Sequence, residues 1–189
     1  TIIGKLDGVP AWARDVSNRT QLETEYYRLA GLEAIGELEP VDARALANIR
    51  QVSQVIDEHE AYTDPFGEHP VVQLYIFDPY AFDGDGRVAV SIGDLDTAMH
   101  TAVTVPGLGT HVPGMGSGRA QNIHTESRWA APGESVAVLD WIGYDAPNFN
   151  WDGRNSGVGG VFDEVGDIAG VVNMDDARAG ALLLANDVA

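Results

Sequence analysis

At residues 61–70, AYTDPFGEHP, the apolar pattern of the chain changes period, and that change limits the folds open to it. Upstream, apolar side chains recur at helical spacing. Trp12, Val16, Leu22, Tyr26 and Leu29 predict a helix over about 11–35, with Pro10 at its first turn and Gly36 and Pro40 at its end. Arg14, Asp15, Arg19, Glu23 and Glu25 are expected on its polar side. Ala45, Ile49, Val52 and Ile56, widened by Leu46 and Val55, predict a second helix over about 41–60. Downstream come short β-rich runs: VVQLYIF at 71–77, RVAVSI at 87–92, TAVTV at 101–105 and SVAVLDW at 135–141. The Asp-Gly pairs of DPYAFDGDG join the first two as hairpin chemistry. A helix over about 119–130 separates the last two. A short helix is expected around 161–168, and a final one after Asn173, with Asp176 completing a capping box. The fold class is therefore α/β. A helical hairpin in residues 1–65 packs on a mixed sheet with flanking helices in residues 66–189.

Within that frame, Gly93–Gly118, GDLDTAMHTAVTVPGLGTHVPGMGSG, is the stretch with chemical promise. It is a polar turn, a short strand and a glycine-rich bend off the strand's C-terminal end, where α/β sheets place ligands. Gly107 and Gly109 read either as room for a ligand against the backbone or as a tight turn needing positive φ. His111 reads as a residue lining a site or as a solvated loop histidine. Trp141, Tyr144 and Trp151 read as the floor of an apolar pocket or as packing under the loop. Asp140, Asp145 and Asp152 cluster near the fourth strand's exit and read as a metal or substrate group or as solvated carboxylates.

Composition excludes several functions. The formal net charge is −18, from 29 acidic and 11 basic residues, which disfavours nucleic acid and anionic membrane surfaces. With no cysteine there is neither a disulfide nor a thiolate nucleophile. No apolar run has the length of a membrane span, and no signal segment opens the chain. The chain begins at Thr1 rather than methionine, as a processed or excised piece would. His59-Glu60 starts a zinc-protease motif, but Thr63 stands where the second histidine belongs. Gly107-x-Gly109 lacks the third glycine of a dinucleotide fingerprint, and Gly114-Met-Gly116-Ser-Gly118 lacks a phosphate-loop lysine. Asp83-Gly-Asp85-Gly resembles half a calcium loop without its closing glutamate. No metal and no cofactor is expected.

Three blocks carry a family resemblance: LDGVPAWARDVSNR, GDLDTAMHTAVTVPGLGT and VAVLDWIGYDAP. In this order, over nearly the whole chain, they resemble an actinobacterial α/β-hydrolase family, the domain-of-unknown-function 1023 group. The resemblance implies a serine hydrolase acting on an ester or related acyl bond. Gly107, Leu108, Gly109 and Thr110 then match the loop whose backbone N–H groups hold the oxyanion, with Leu108 and Gly109 as donors. His111, Trp141, Tyr144 and Asp145 are the candidate pocket residues.

The chain departs from the family's pattern at the nucleophile. There is no G-x-S-x-G: Ser117 has Met115 before it and Arg119 after it, and Ser156 has Arg154 before it. The family's elbow is expected just past Ala189, with the acid and histidine later still, so no catalytic residue is identifiable here. The chain reads as the N-terminal half of a hydrolase. Its strand at 101–105 is expected to be an open, apolar edge, completed by the missing C-terminal half or by another polypeptide. The alternative is a non-catalytic hydrolase-like module with a structural or interaction role, for example in a surface or viral assembly.

Overall fold

A computed structural model describes residue 4 and residues 8–107, 110–144 and 175–188. The elements in chain order are α1 (Ala11–Ala34), α2 (Pro40–Glu60), β1 (Val72–Asp78), β2 (Arg87–Ile92), β3 (His100–Thr104), α3 (Gly118–Ala130), β4 (Val136–Ile142) and α4 (Asp175–Asp187). Each lies within two residues of its predicted place, apart from α4, whose predicted cap Asn173 lies outside the described residues, as does the short helix expected at 161–168.

The four strands form one mixed sheet in the order β1-β2-β4-β3. β1 runs antiparallel to β2, and β2 antiparallel to β4. β3 runs parallel to β4, with Thr104 opposite Asp140. A crossover through α3 makes that parallel pair. β4 is buried along its whole length, and the sheet is covered on both faces. On one face Leu74, Val88, Val90 and Ile142 meet Leu46, Ile49, Val52 and Val55 of α2. Beside them Ile92 and Val138 meet Ala120 of α3. On the other face Ile76, Ala89, Leu139 and Trp141 meet Leu183 and Leu184 of α4. Each fully buried Leu or Ile contributes about 1.5–3 kcal/mol.

The first helix differs from its predicted face. Trp12 and Val16 are exposed, while Ala11, Arg14, Ser17 and Asn18 are buried. The cause is where α1 lies. It runs along the free edge of β1, whose backbone groups need hydrogen bonds rather than apolar cover. Asp15 Oδ1 accepts from Leu74 N–H at 2.7 Å. Asn18 Nδ2 donates to Leu74 O at 2.9 Å and to Tyr75 O at 3.0 Å. Arg19 Nη2 donates to Val72 O at 3.1 Å. Only from Leu22 onward does α1 bury aliphatic side chains, with Leu29 fully enclosed.

The N-terminus of α1 is capped from a distance. Pro10 offers no capping side chain, and Asp96 accepts instead from Ala11 N–H at 2.7 Å and Trp12 N–H at 2.9 Å. Asp96 is presented by the turn after Gly93. Gly93 has φ +93°, and a side chain there would put Cβ 2.2 Å from Val136 O, so only glycine fits.

The β1–β2 link is not a two-residue hairpin. Phe82–Gly84 forms a 3-10 turn with Phe82 and Asp83 both at φ 54°. Buried Asn48 of α2 holds it, donating to Pro79 O at 2.9 Å and Gly84 O at 2.8 Å.

Candidate functional site

The loop that leaves β3 and enters α3 is pinned at several points. Tyr144 donates its hydroxyl to Pro106 O at 3.0 Å. Val112 N–H donates to Asp85 O at 3.0 Å, and Gln51 Nε2 to Met115 O at 2.6 Å. Pro106, Val112 and Met115 are buried. Between the pins the loop turns outward. Gly107 is exposed, Thr110 and His111 are half-buried, and Thr110 N–H points back to Gly107 O at 3.3 Å. Leu108 and Gly109, the expected oxyanion donors, lie outside the described residues, as does Asp145.

Gly107 has no positive φ, and a Cβ there would meet nothing within 4 Å among the described residues. Neither backbone strain nor packing therefore asks for glycine at this position. Gly114, Gly116 and Gly118 are equally open.

Beneath the loop lies a buried polar cluster. Asp140, in the middle of β4, has no exposed surface. Its Oδ1 accepts from the Thr104 hydroxyl and from Arg119 Nη2 at 2.7 Å. Its Oδ2 is buried with no hydrogen-bond partner among the described residues. The expectation of a solvated carboxylate is thus wrong for Asp140, because the strand is still fully buried at that position. Trp151 and Asp152 lie outside the described residues. His59 of α2 faces the same region. Burial pushes it down to about 4, against the pull of the Asp140 and Glu58 charges. It is therefore neutral at pH 7, and Arg119 alone supplies a formal positive charge to the Asp140 carboxylate among these contacts. His59 Nε2 is also buried without a partner.

Trp141 and Tyr144 stack, with centroids 6.2 Å apart and planes at 10°. Trp141 is enclosed in the core, and its indole N–H donates to Asp187 Oδ2 at 2.7 Å. Arg87 Nη2 reaches both oxygens of Asp187 at 2.6 Å, and Tyr75 donates its hydroxyl to Asp187 O at 2.8 Å. Asp187 thereby fastens the end of α4 to the sheet. The indole is held as packing, and the half-buried Tyr144 reaches the loop. His111 and Thr110 stand on the outer part of the loop, away from these anchors.

Reasoning from sequence missed Thr104, Arg119, His59 and Asp187. One signal was there to be read: an aspartate inside the apolar run VAVLDWI has to find partners once that strand is buried.

Among the described residues, no three His, Cys, Asp or Glu side chains gather as a metal site. No helix among them is long and apolar enough to cross a membrane.

Comparison with known proteins adds the following. A family model described as alpha/beta hydrolase matches residues 82–186. An uncharacterized protein of Mycobacterium tuberculosis H37Rv is 35% identical over 170 residues, covering 80% of this chain and 26% of its own length. An uncharacterized protein of Mycobacterium bovis is 30% identical over 112 residues, covering 51% of this chain and 42% of its own. The chain thus spans about a quarter of the first relative and less than half of the second. No solved structure matches.

Proposed function

The chain belongs to the α/β-hydrolase family, and on that premise we propose that it is the N-terminal portion of a serine hydrolase cleaving an ester or related acyl bond. Within the family we assign it to the domain-of-unknown-function 1023 group, on its three sequence blocks; the mycobacterial relatives accord with that source. Gly107, Leu108, Gly109 and Thr110 form the oxyanion loop. The observation that carries this reading is the exposed Gly107 at the C-terminal end of β3, which among the described residues needs glycine neither for positive φ nor for packing room. A tetrahedral oxyanion needs backbone donors about 2.7–3.1 Å away, and side chains on the loop would keep it out. Thr110 N–H is turned back to Gly107 O, and on the family resemblance we take Leu108 and Gly109 as the donors. Tyr144 and His111 border the pocket, and Trp141 supports it from below.

The serine, the acid and the general-base histidine come from sequence beyond these 189 residues. So does the strand that pairs with β3, supplied by the C-terminal half of the hydrolase or by another polypeptide. Val188 lines the same groove of about 270 Å³ as Thr101 and Val103 of β3.

The test uses the full-length natural protein and a fluorophosphonate probe. Labelling is expected, and it is lost when the elbow serine is changed to alanine. A folded full-length protein that takes no label overturns the enzyme reading. The second reading, a non-catalytic structural or interaction module, draws on one observation. Trp12, Val16 and Tyr27 stand exposed on the outer side of α1, a surface suited to a partner.

A further inference from the structure

We propose that Asp140 is the positioning residue of the glycine-rich loop, a single buried carboxylate that ties both stems of the loop to the centre of the sheet. The inference rests on the catalytic reading of that loop. Thr104 is the last residue of β3, just before the loop, and Arg119 is the second residue of α3, just after it. Fifteen positions apart in sequence, they converge on one oxygen, Asp140 Oδ1. The hydroxyl of Thr104 fixes where the backbone leaves the strand. The guanidinium of Arg119 fixes where the helix begins, so the N–H groups between them have limited travel.

Three features set this apart from ordinary core packing. Asp140 is the one charged residue in a strand otherwise made of apolar side chains, and β4 is buried throughout. An apolar residue there would satisfy the core at lower cost, because a buried carboxylate needs several partners to offset its desolvation. The partners are spread in sequence and meet only at the loop's base. They are also asymmetric. Among the described residues one oxygen takes both bonds, and the other is buried with none. A carboxylate placed only to satisfy the core would be expected to use both oxygens. This arrangement instead concentrates its bonds on the two loop stems.

The region around the cluster does not supply a substitute. His59 is neutral, and Gln121 Nε2 is directed to His59 Nδ1 at 3.4 Å and to Glu58 O at 3.1 Å. If the Thr104 hydroxyl or the Arg119 charge is removed, no neighbouring group among those described takes over its place on Asp140 Oδ1. The remaining pins at Pro106, Val112 and Met115 hold the middle of the loop but not its stems.

The experiment is made on the full-length protein with two independent readouts, amide hydrogen exchange and the second-order rate of fluorophosphonate labelling. Asp140→Ala risks a misfolded protein, so the deciding variants are Thr104→Val, which keeps shape and loses the hydroxyl, and Arg119→Gln, which loses the charge of a partly exposed side chain. Both are expected to speed exchange in peptides spanning 105–118, with α1 and β1 peptides unchanged. Both are expected to slow labelling by about tenfold to a hundredfold, the scale of an ångström-sized misplacement. Thr104→Ser, which restores the hydroxyl, is expected to recover most of both losses. Exchange that rises evenly across the protein, or that stays unchanged in 105–118, overturns the proposal. So does labelling at the wild-type rate in both variants. A wild-type protein that takes no label defeats the catalytic reading instead. The exchange data then still decide whether Asp140 holds the loop.

Discussion

Along the outer side of β1, three side chains of α1 take the backbone groups that a further strand would have bonded: Asp15 receives an N–H, and Asn18 and Arg19 donate to three carbonyls. Along the outer side of β3, no strand or helix among the described residues does the same. β3 is bonded only to β4, and Thr101, Val103 and Val105 face outward. An uncovered apolar edge is a hazard that proteins normally blunt with charge, proline or cover. Among the described residues, one edge is covered by a dedicated helix and the other is left apolar beside the glycine-rich loop. The closed edge is the boundary of the sheet on the β1 side. On the function proposed above, the open edge is where a further strand joins.

The two sides also differ in their buried titratable groups. On the β1 side the edge groups are bonded to α1, and the buried atoms left unbonded there among the described residues, Ser17 Oγ and Asn18 Oδ1, do not titrate. On the β3–β4 side the buried His59 has its Nε2 unbonded among the described residues. Acid should therefore strike the β3–β4 side first. His59 moves from 6.5 when exposed to about 4 when folded, so the unfolded chain binds a proton in that window and the folded chain does not. Stability from this site is complete above about pH 6.5 and is lost as the pH falls toward 4. The total is about 3 kcal/mol, the largest effect expected here. Urea unfolding of wild type and His59→Leu between pH 7 and 4.5 checks it. A variant with the same pH slope as wild type rules His59 out as the source.

Next in size is the closed edge itself. Asn18→Leu keeps the volume near Leu74 and Tyr75 but leaves two carbonyls without their donor. A loss of about 2 kcal/mol in urea unfolding is expected, since unbonded buried groups cost about 1–3 kcal/mol each and some will find water. A loss below about 0.5 kcal/mol would mean that α1 covers β1 by bulk alone. Asp96→Ala removes only the cap that orients α1 and should cost about 1 kcal/mol. A variant as stable as wild type would show that the edge bonds position α1 without help.

These contacts also explain what was legible in the sequence. The period change at 61–70 gave the helices and strands, including the run at 135–141 that becomes β4. The face of α1 was misread because Arg14, Asp15 and Arg19 look like part of a solvated stripe. Nothing local shows that such a stripe bonds a strand edge more than fifty residues away. The same holds for Asp96, which reads as a turn residue and serves as a helix cap. Two of the three blocks that carry the family resemblance are therefore partly structural: the first clasps β1 and the second caps the first. At the site, Gly107 was legible as a bare bend but Asp140 was not, because its partners come from the ends of two other elements.

The smallest expected effect on stability falls on the open edge. Val103→Lys puts a charge on an outward-facing position, so folding stability should change by no more than about 0.5 kcal/mol. Association should change far more. An apolar edge without a partner pairs with copies of itself, and a lysine on it blocks that pairing. For residues 1–189 alone, sedimentation velocity should show concentration-dependent association in wild type and much less in Val103→Lys. Val16→Lys, on the equally exposed outer side of α1, is the matched control, because it adds the same charge without touching a strand. If both variants reduce association equally, charge rather than strand pairing is responsible. If wild type is already a stable, monodisperse monomer, β3 needs no partner, and the contrast between the two edges loses its functional meaning.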